Sequence, residues 1–294
     1  MSTETTGVIH DIGYQRYAGA RLGRGYATRA LYAHSLRTAF GFGRTAKAKI
    51  FPWFVAGIGF LVAVIVSAVR AQAGETVLSY TSYTDAISIL VVLFCAVIGP
   101  ELVSRDLRSG VLPLYFSRPL SRSDYALAKL AAAVSAAWLL LAGPLTLMFL
   151  GGAFGAGGAS EIWTEFGRYA AGLAYAGIAA AIFGGIAILV GSLSSRRAVA
   201  AAIIAGFFLM TTAVAGVASG IAEATENETL WNLFGLLSPG TLIQGVRAWA
   251  FPTQPGDLEP VPIGDFGPVY GLTAAGLLIV CVLLLLARYR KVAR

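Results

Sequence analysis

The chain has 294 residues, 57% of them hydrophobic and only 13% charged, with a net charge of +7. A soluble domain carries roughly twice that charged fraction, and the apolar residues here gather in runs of about 20, the length that crosses a bilayer core. The positive charge sits in short segments between and beyond those runs, as membrane topology requires, so no nucleic-acid partner is expected.

Residues 1–24 read as a polar cytoplasmic tail carrying Tyr14, Arg16, Tyr17, Arg21 and Arg24, without the apolar core of a cleavable signal peptide. Over 25–50, Leu31, Leu36 and Phe40 interleave with Arg29, Arg37, Arg44, Lys47 and Lys49, which predicts an amphipathic connecting helix lying in the interface. Gly41 and Gly43 follow no strand there and make no nucleotide loop. A transmembrane domain is expected over 51–288. Its first span covers 51–71 with Pro52 in the first turn, and a polar stretch, 72–84, follows. The second, 85–103, has Asp85 and Glu101 at its two ends. After a loop over 104–123, a third span runs from about Tyr125 to Phe149, with a kink expected at Pro144. A glycine-rich turn, 151–160, leads to a fourth span, 168–193. Its small-residue stripe, Ala176, Ala180 and Gly184, suits close packing within the chain as well as a dimer seam. A fifth span covers 198–222. The extracellular region 223–266 contains a half-apolar run broken by Ser238, Pro239 and Gly240, which reads as re-entrant or surface-lying helices. The last span, 269–287, leads into a basic tail, 289–294.

Nineteen of the 22 Lys and Arg residues fall on the N-terminal side of this layout, leaving Arg70, Arg168 and Arg247 on the other. The fold class is therefore an all-α integral membrane protein of the plasma membrane, with six transmembrane helices and both termini cytoplasmic. Cys95 and Cys281 sit mid-run in two different spans and read as buried free thiols. His10 and His34 have no second ligand at metal spacing, so no metal is expected.

The segment from Gly99 to Leu130 stands apart. Arg105, Arg108, Arg118, Arg122 and Lys129 surround a small apolar island, Val111, Leu112, Leu114, Tyr115 and Phe116, too short to span. Gly110 followed by Pro113 suits a helix start, so 111–117 reads as a one-to-two-turn helix on the cytoplasmic surface. No paired carboxylates, nucleophile with base, or mid-span ionisable residue appears. No lysine follows a glycine as a phosphate loop would need, so this chain is not expected to be an enzyme or to hold ATP.

These residues resemble the signature of ABC-2 type transporter permeases. That signature has an acidic residue ending the second helix, a Ser-Arg-acidic-x-Arg-x-Gly turn, a short apolar helix, then Arg-Pro-x-Ser-Arg and a Lys opening the third helix. Here they are Glu101, Ser104 to Gly110, 111–117, Arg118 to Arg122, and Lys129. Leu237-Ser238-Pro239 is similar to the family's Ser-Pro element. Val111 and Pro113 stand where the family commonly has Thr and Glu. The resemblance implies that the short helix is a coupling helix seated in a cleft of a separate ABC ATPase subunit. Val111, Leu112, Leu114, Tyr115 and Phe116 would pack in that cleft, with Arg105, Asp106, Arg108 and Arg118 at its polar rim. It further implies two ATPase subunits, which carry the ATP and magnesium, and a second permease subunit, identical or not. The translocation path would be lined by the second and fifth spans, whose apolar character suits a lipid-like or hydrophobic substrate. Two other classes remain open: a non-transporting membrane scaffold or sensor, which would leave the apolar island without a purpose, and a secondary carrier, which would want a buried ionisable residue at the midplane.

Overall fold

In a computed structural model of the chain, residue 19, residues 22–117 and residues 120–291 are described. Most of the expected N-terminal tail, Arg118 with Pro119, and the end of the basic tail lie outside the described residues.

Eleven α-helices make up the described chain: α1 (Arg24–Ala39), α2 (Ala46–Ala73), α3 (Tyr80–Ala86), α4 (Ser88–Ser109), α5 (Leu112–Phe116), α6 (Arg122–Phe154), α7 (Ala159–Leu193), α8 (Arg197–Ala224), α9 (Glu228–Leu233), α10 (Pro239–Ala250) and α11 (Gly267–Lys291). Six are long and apolar enough to cross a membrane: α2, α4, α6, α7, α8 and α11. The all-α, six-span expectation therefore matches. The outer surface agrees, since Leu61 and Ile65 on α2, Leu209 and Met210 on α8, and Leu272 and Leu283 on α11 are all more than half exposed. Contiguous apolar surface of that extent is stable only against lipid or another apolar partner.

Several boundaries differ from those read off the residues. The connecting helix ends at Ala39 rather than running to 50, because Gly41 and Gly43 take positive φ and turn the chain. Lys47 and Lys49 consequently open α2, and Pro52 lies inside that helix instead of in its first turn. Proline frees the carbonyl four residues back. That carbonyl, of Ala48, is where Gly41 packs, so closely that a Cβ on Gly41 would lie 2.8 Å from it. The stretch expected to be a polar connector holds α3, capped by Ser79, whose hydroxyl accepts from the Ser82 N–H. A single turn residue, Ile87, separates α3 from α4, so Asp85 precedes the second span. α6 continues through Pro144 to Phe154, and α7 starts nine residues before Arg168.

α4, α6 and α7 form the inner group, while α2, α8 and α11 are mostly outward-facing. The small-residue stripe serves packing within the chain: Ala176 and Ala180 are fully buried, and a Cβ on Gly184 would touch the α6 backbone at Val134. α4 and α7 come closer still. A Cβ on Gly99 would lie 2.7 Å from the Ala187 carbonyl oxygen, and one on Gly191 3.1 Å from the Gly99 carbonyl. A backbone obstacle cannot rotate away. Gly99→Ala is therefore expected to push the two helices apart and cost about 1–3 kcal/mol, readable as a lower thermal unfolding midpoint of the purified chain; an unchanged midpoint would contradict the close approach.

The charged groups gather at the two ends of the bundle. One end, called here the basic end, carries α1, α5 and the last turn of α11. At the other, α3, α9, α10 and the segment 252–266 lie over the helix ends.

Candidate functional site

At the basic end α4 stops at Gly110, whose φ of 66° is a left-handed geometry that a side chain would resist. Val111 turns the chain, its carbonyl accepting from the N–H groups of Leu114 and Tyr115. Pro113 lies in the first turn of α5, where its missing N–H leaves nothing unsatisfied. α6 then begins with a capping box: the Ser121 hydroxyl accepts from the Asp124 N–H, and the Asp124 carboxylate accepts from the Ser121 N–H. Arg24, the first residue of α1, clamps the same carboxylate with two guanidinium nitrogens, one at 2.8 Å, tying α1 to the start of α6. Tyr32 adds a second tie, donating to the Ser135 hydroxyl at 2.9 Å.

The island 111–116 divides into two faces. Leu112 is buried in the chain's own core. Tyr115 and Phe116 pack on the Tyr125 ring, with centroids 5.6 and 6.1 Å away, and Tyr125 in turn lies 5.1 Å from Tyr289 of α11. Such ring pairs contribute about 0.5–1.5 kcal/mol each beyond their area. Asp106 also faces inward, accepting from the Tyr125 hydroxyl at 2.7 Å and ion-pairing with the buried Lys129 at 2.9 Å. The outward face is smaller. Leu114 is 68% exposed, Pro113 is exposed next to it in the chain, and Arg105 and Arg108 are exposed on the last turns of α4. Val111 is half-buried, and Arg118 lies outside the described residues. Of the residues expected to meet a partner, the geometry thus leaves Leu114, Arg105 and Arg108 free to do so. Leu112 is buried, Tyr115 and Phe116 hold α5 to Tyr125 of α6, which packs on Tyr289 of α11, and Asp106 ties the end of α4 to α6.

Glu101, near the end of α4, holds Arg44 from the turn after α1 at 2.9 Å and Arg197 at the start of α8 at 2.8 Å. One carboxylate therefore joins three elements.

A second polar cluster, at the opposite end, was not foreseen from the residues. Arg247 on α10 is buried and ion-pairs with Asp85 at 3.0 Å and Asp257 at 3.3 Å. It also donates to the Ser82 hydroxyl at 2.7 Å and the Leu258 carbonyl at 3.0 Å. Asp257 accepts from Ser79, Thr81 and Ser82 of the α3 region and from the Gln254 N–H. Burial pushes the Asp85 carboxyl up to about 6, against the hydroxyl of Tyr175 and the charge of Arg247. Burial pulls Asp257 upward too, but its donors outweigh that and hold it below the usual carboxylate range. Nearby, Glu165 on α7 is held by Arg70, Arg168 and the Tyr80 hydroxyl. Both clusters fasten α3 to the bundle. Cys95 and Cys281 are buried and unpaired.

What the basic end offers chemically is a short helix, α5, held by its aromatic side chains with Leu114 outward, and two exposed arginines, Arg105 and Arg108, on the last turns of α4. A family model described as ABC-2 family transporter protein matches residues 32–288. No curated protein matches the chain.

Proposed function

The chain belongs to the ABC-2 family of transporter proteins, a membrane component of ABC-type transport, and from that premise we propose that it is the permease subunit of an ATP-driven exporter whose ATPase subunit docks on α5. Two such permeases would form the translocation path between them, with two ATPase subunits on the basic end. The excess of Lys and Arg at that end supports a cytoplasmic side for it by the positive-inside rule, and the membrane proposed is the plasma membrane.

The observation that carries this reading is the division of α5 into an anchored and an outward face. Leu114 projects from a helix whose Tyr115 and Phe116 rings pack on Tyr125 of α6, itself packed on Tyr289 of α11. The Asp106–Lys129 pair locks the end of α4 to α6 beside it. A push on α5 by a closing ATPase would pass directly into three spanning helices. α4 also keeps one apolar stripe uncovered by the chain, Ile89, Leu93 and Val97 at four-residue spacing, which suits the path or the second permease.

Arg108 tests the docking face. It is exposed and makes no ion pair among the described residues, so Arg108→Glu should leave the fold intact. Association with the ATPase subunit of the same transporter is expected to slow by roughly tenfold at low ionic strength, with the difference fading in high salt. Equal association rates for wild type and R108E at low salt would count against docking here.

A further inference from the structure

Two adjoining cavities of about 400 and 500 Å³ open at the basic end between the turn after α1, the end of α4 and the start of α8. Their walls carry five cations, Arg44, Arg105, Arg108, Lys129 and Arg197, and two carboxylates, Glu101 and Asp106. Both carboxylates are already engaged: Glu101 with Arg44 and Arg197, Asp106 with Lys129. Arg105 and Arg108 are left without an ion pair among the described residues, and Arg105 stands near enough to Lys129 for the like charges to repel. Cations held together in this way favour an anion between them.

A second observation points the same way. Ser35 of α1 is fully buried, lines the larger-walled of the two cavities beside His34 and Thr38, and its hydroxyl has no hydrogen-bond partner. A buried donor of this kind is costly unless an acceptor arrives. α8 also begins at Arg197, in the cavity wall, with no side chain capping its first turn.

We infer that these cavities hold the phosphate headgroup of an acidic phospholipid from the leaflet at the basic end. The chemistry that fits is a phosphate oxygen cluster accepting from the guanidinium groups of Arg105 and Arg108. A lipid is favoured as its source because the cavities open at the ends of spanning helices, at headgroup level, and their surroundings offer a place for acyl chains. Phe42 lines one cavity and is half exposed, and Leu193 and Val199, close in sequence to Arg197, are exposed apolar residues. Basic pockets between spanning helices on the cytoplasmic side are suited to such headgroups. Seated there, the lipid would draw the turn after α1, α4 and α8 together around Glu101, making the packing of α4 on α8 depend on the anionic lipid around it.

The test uses the permease alone, so its outcome does not depend on whether an ATPase docks on α5. Delipidated protein is incubated with equal amounts of phosphatidylglycerol and phosphatidylcholine, and the retained lipid is read by native mass spectrometry. Wild type is expected to retain phosphatidylglycerol preferentially. Each arginine near an anionic headgroup is worth about fivefold in affinity, so the double variant Arg105→Gln, Arg108→Gln should lose on the order of 20-fold of that preference. The double variant Arg29→Gln, Arg37→Gln removes the same charge from exposed positions of α1 outside the cavity walls and should keep it. Absence of a preference in wild type, or equal loss in both variants, would overturn the proposal. Displacement of the bound phosphatidylglycerol by millimolar inorganic phosphate would also overturn it, assigning the site to free phosphate.

Discussion

Arg247→Met is expected to lower the stability of the chain by about 3–5 kcal/mol near neutral pH, because removing one partner of a buried ion pair strands the other charge. The guanidinium is 5% exposed and serves Asp85, Asp257, Ser82 and the Leu258 carbonyl together. Methionine has similar length and fills the space without the charge. The two acids respond differently. Asp257 keeps its donors from Ser79, Thr81, Ser82 and the Gln254 N–H, which hold it ionised. Asp85 keeps only the Tyr175 hydroxyl among its opposing partners.

That difference gives the defect a pH dependence with a definite sign. The folded pKa of Asp85 is raised, from 3.8 to about 6, chiefly by burial and secondarily by the charge of Asp257. Its contribution to stability is therefore complete below its unfolded value and is lost as the pH rises through about 6. Without Arg247 the folded pKa climbs further, so above about pH 6 the variant goes on losing stability through Asp85 where wild type no longer does, while at roughly pH 5 Asp85 is neutral in the folded form of both. Thermal unfolding of wild type and variant at both values should show the larger gap at the higher pH. A gap of the same size at both would mean that Asp85 does not carry the cost.

The six spans were legible because each is an unbroken apolar run of the right length, and the short helix because Gly110 and Pro113 mark its start by backbone chemistry alone. The interior of the site was not. Asp106 and Leu112 were expected at a partner contact because the family resemblance implies it, and the residues themselves do not show what else they touch. Nothing local reveals that Lys129, 23 positions later, turns back to Asp106, or that Leu112 fills the chain's own core. α3 was hidden for a related reason. Its residues Ser79 to Asp85 are polar and short of apolar periodicity, and what orders them is Asp257 and Arg247, more than 160 positions away. Arg247 did stand out as one of three basic residues on its side of the membrane, a signal that topology counting spends on orientation. The early end of the connecting helix was written in Gly41 and Gly43, whose positive φ matters more than the charged periodicity around them.

Docking on α5 rests most directly on Leu114. At 68% exposure, Leu114→Asp places its charge in solvent in the free chain and should not disturb the fold. Tyr115→Asp would be a poorer choice, since it breaks the contact with Tyr125 and mixes folding with binding. In a partner cleft the new carboxylate would be buried without a counter-charge, a loss of about 3–5 kcal/mol or more than 100-fold in affinity. The measurement is co-purification of the tagged permease with the ATPase subunit of its transporter. Loss of the ATPase from L114D, with the permease eluting from detergent gel filtration as wild type does, is the expected result. An ATPase that stays bound to L114D in full amount would contradict docking through α5.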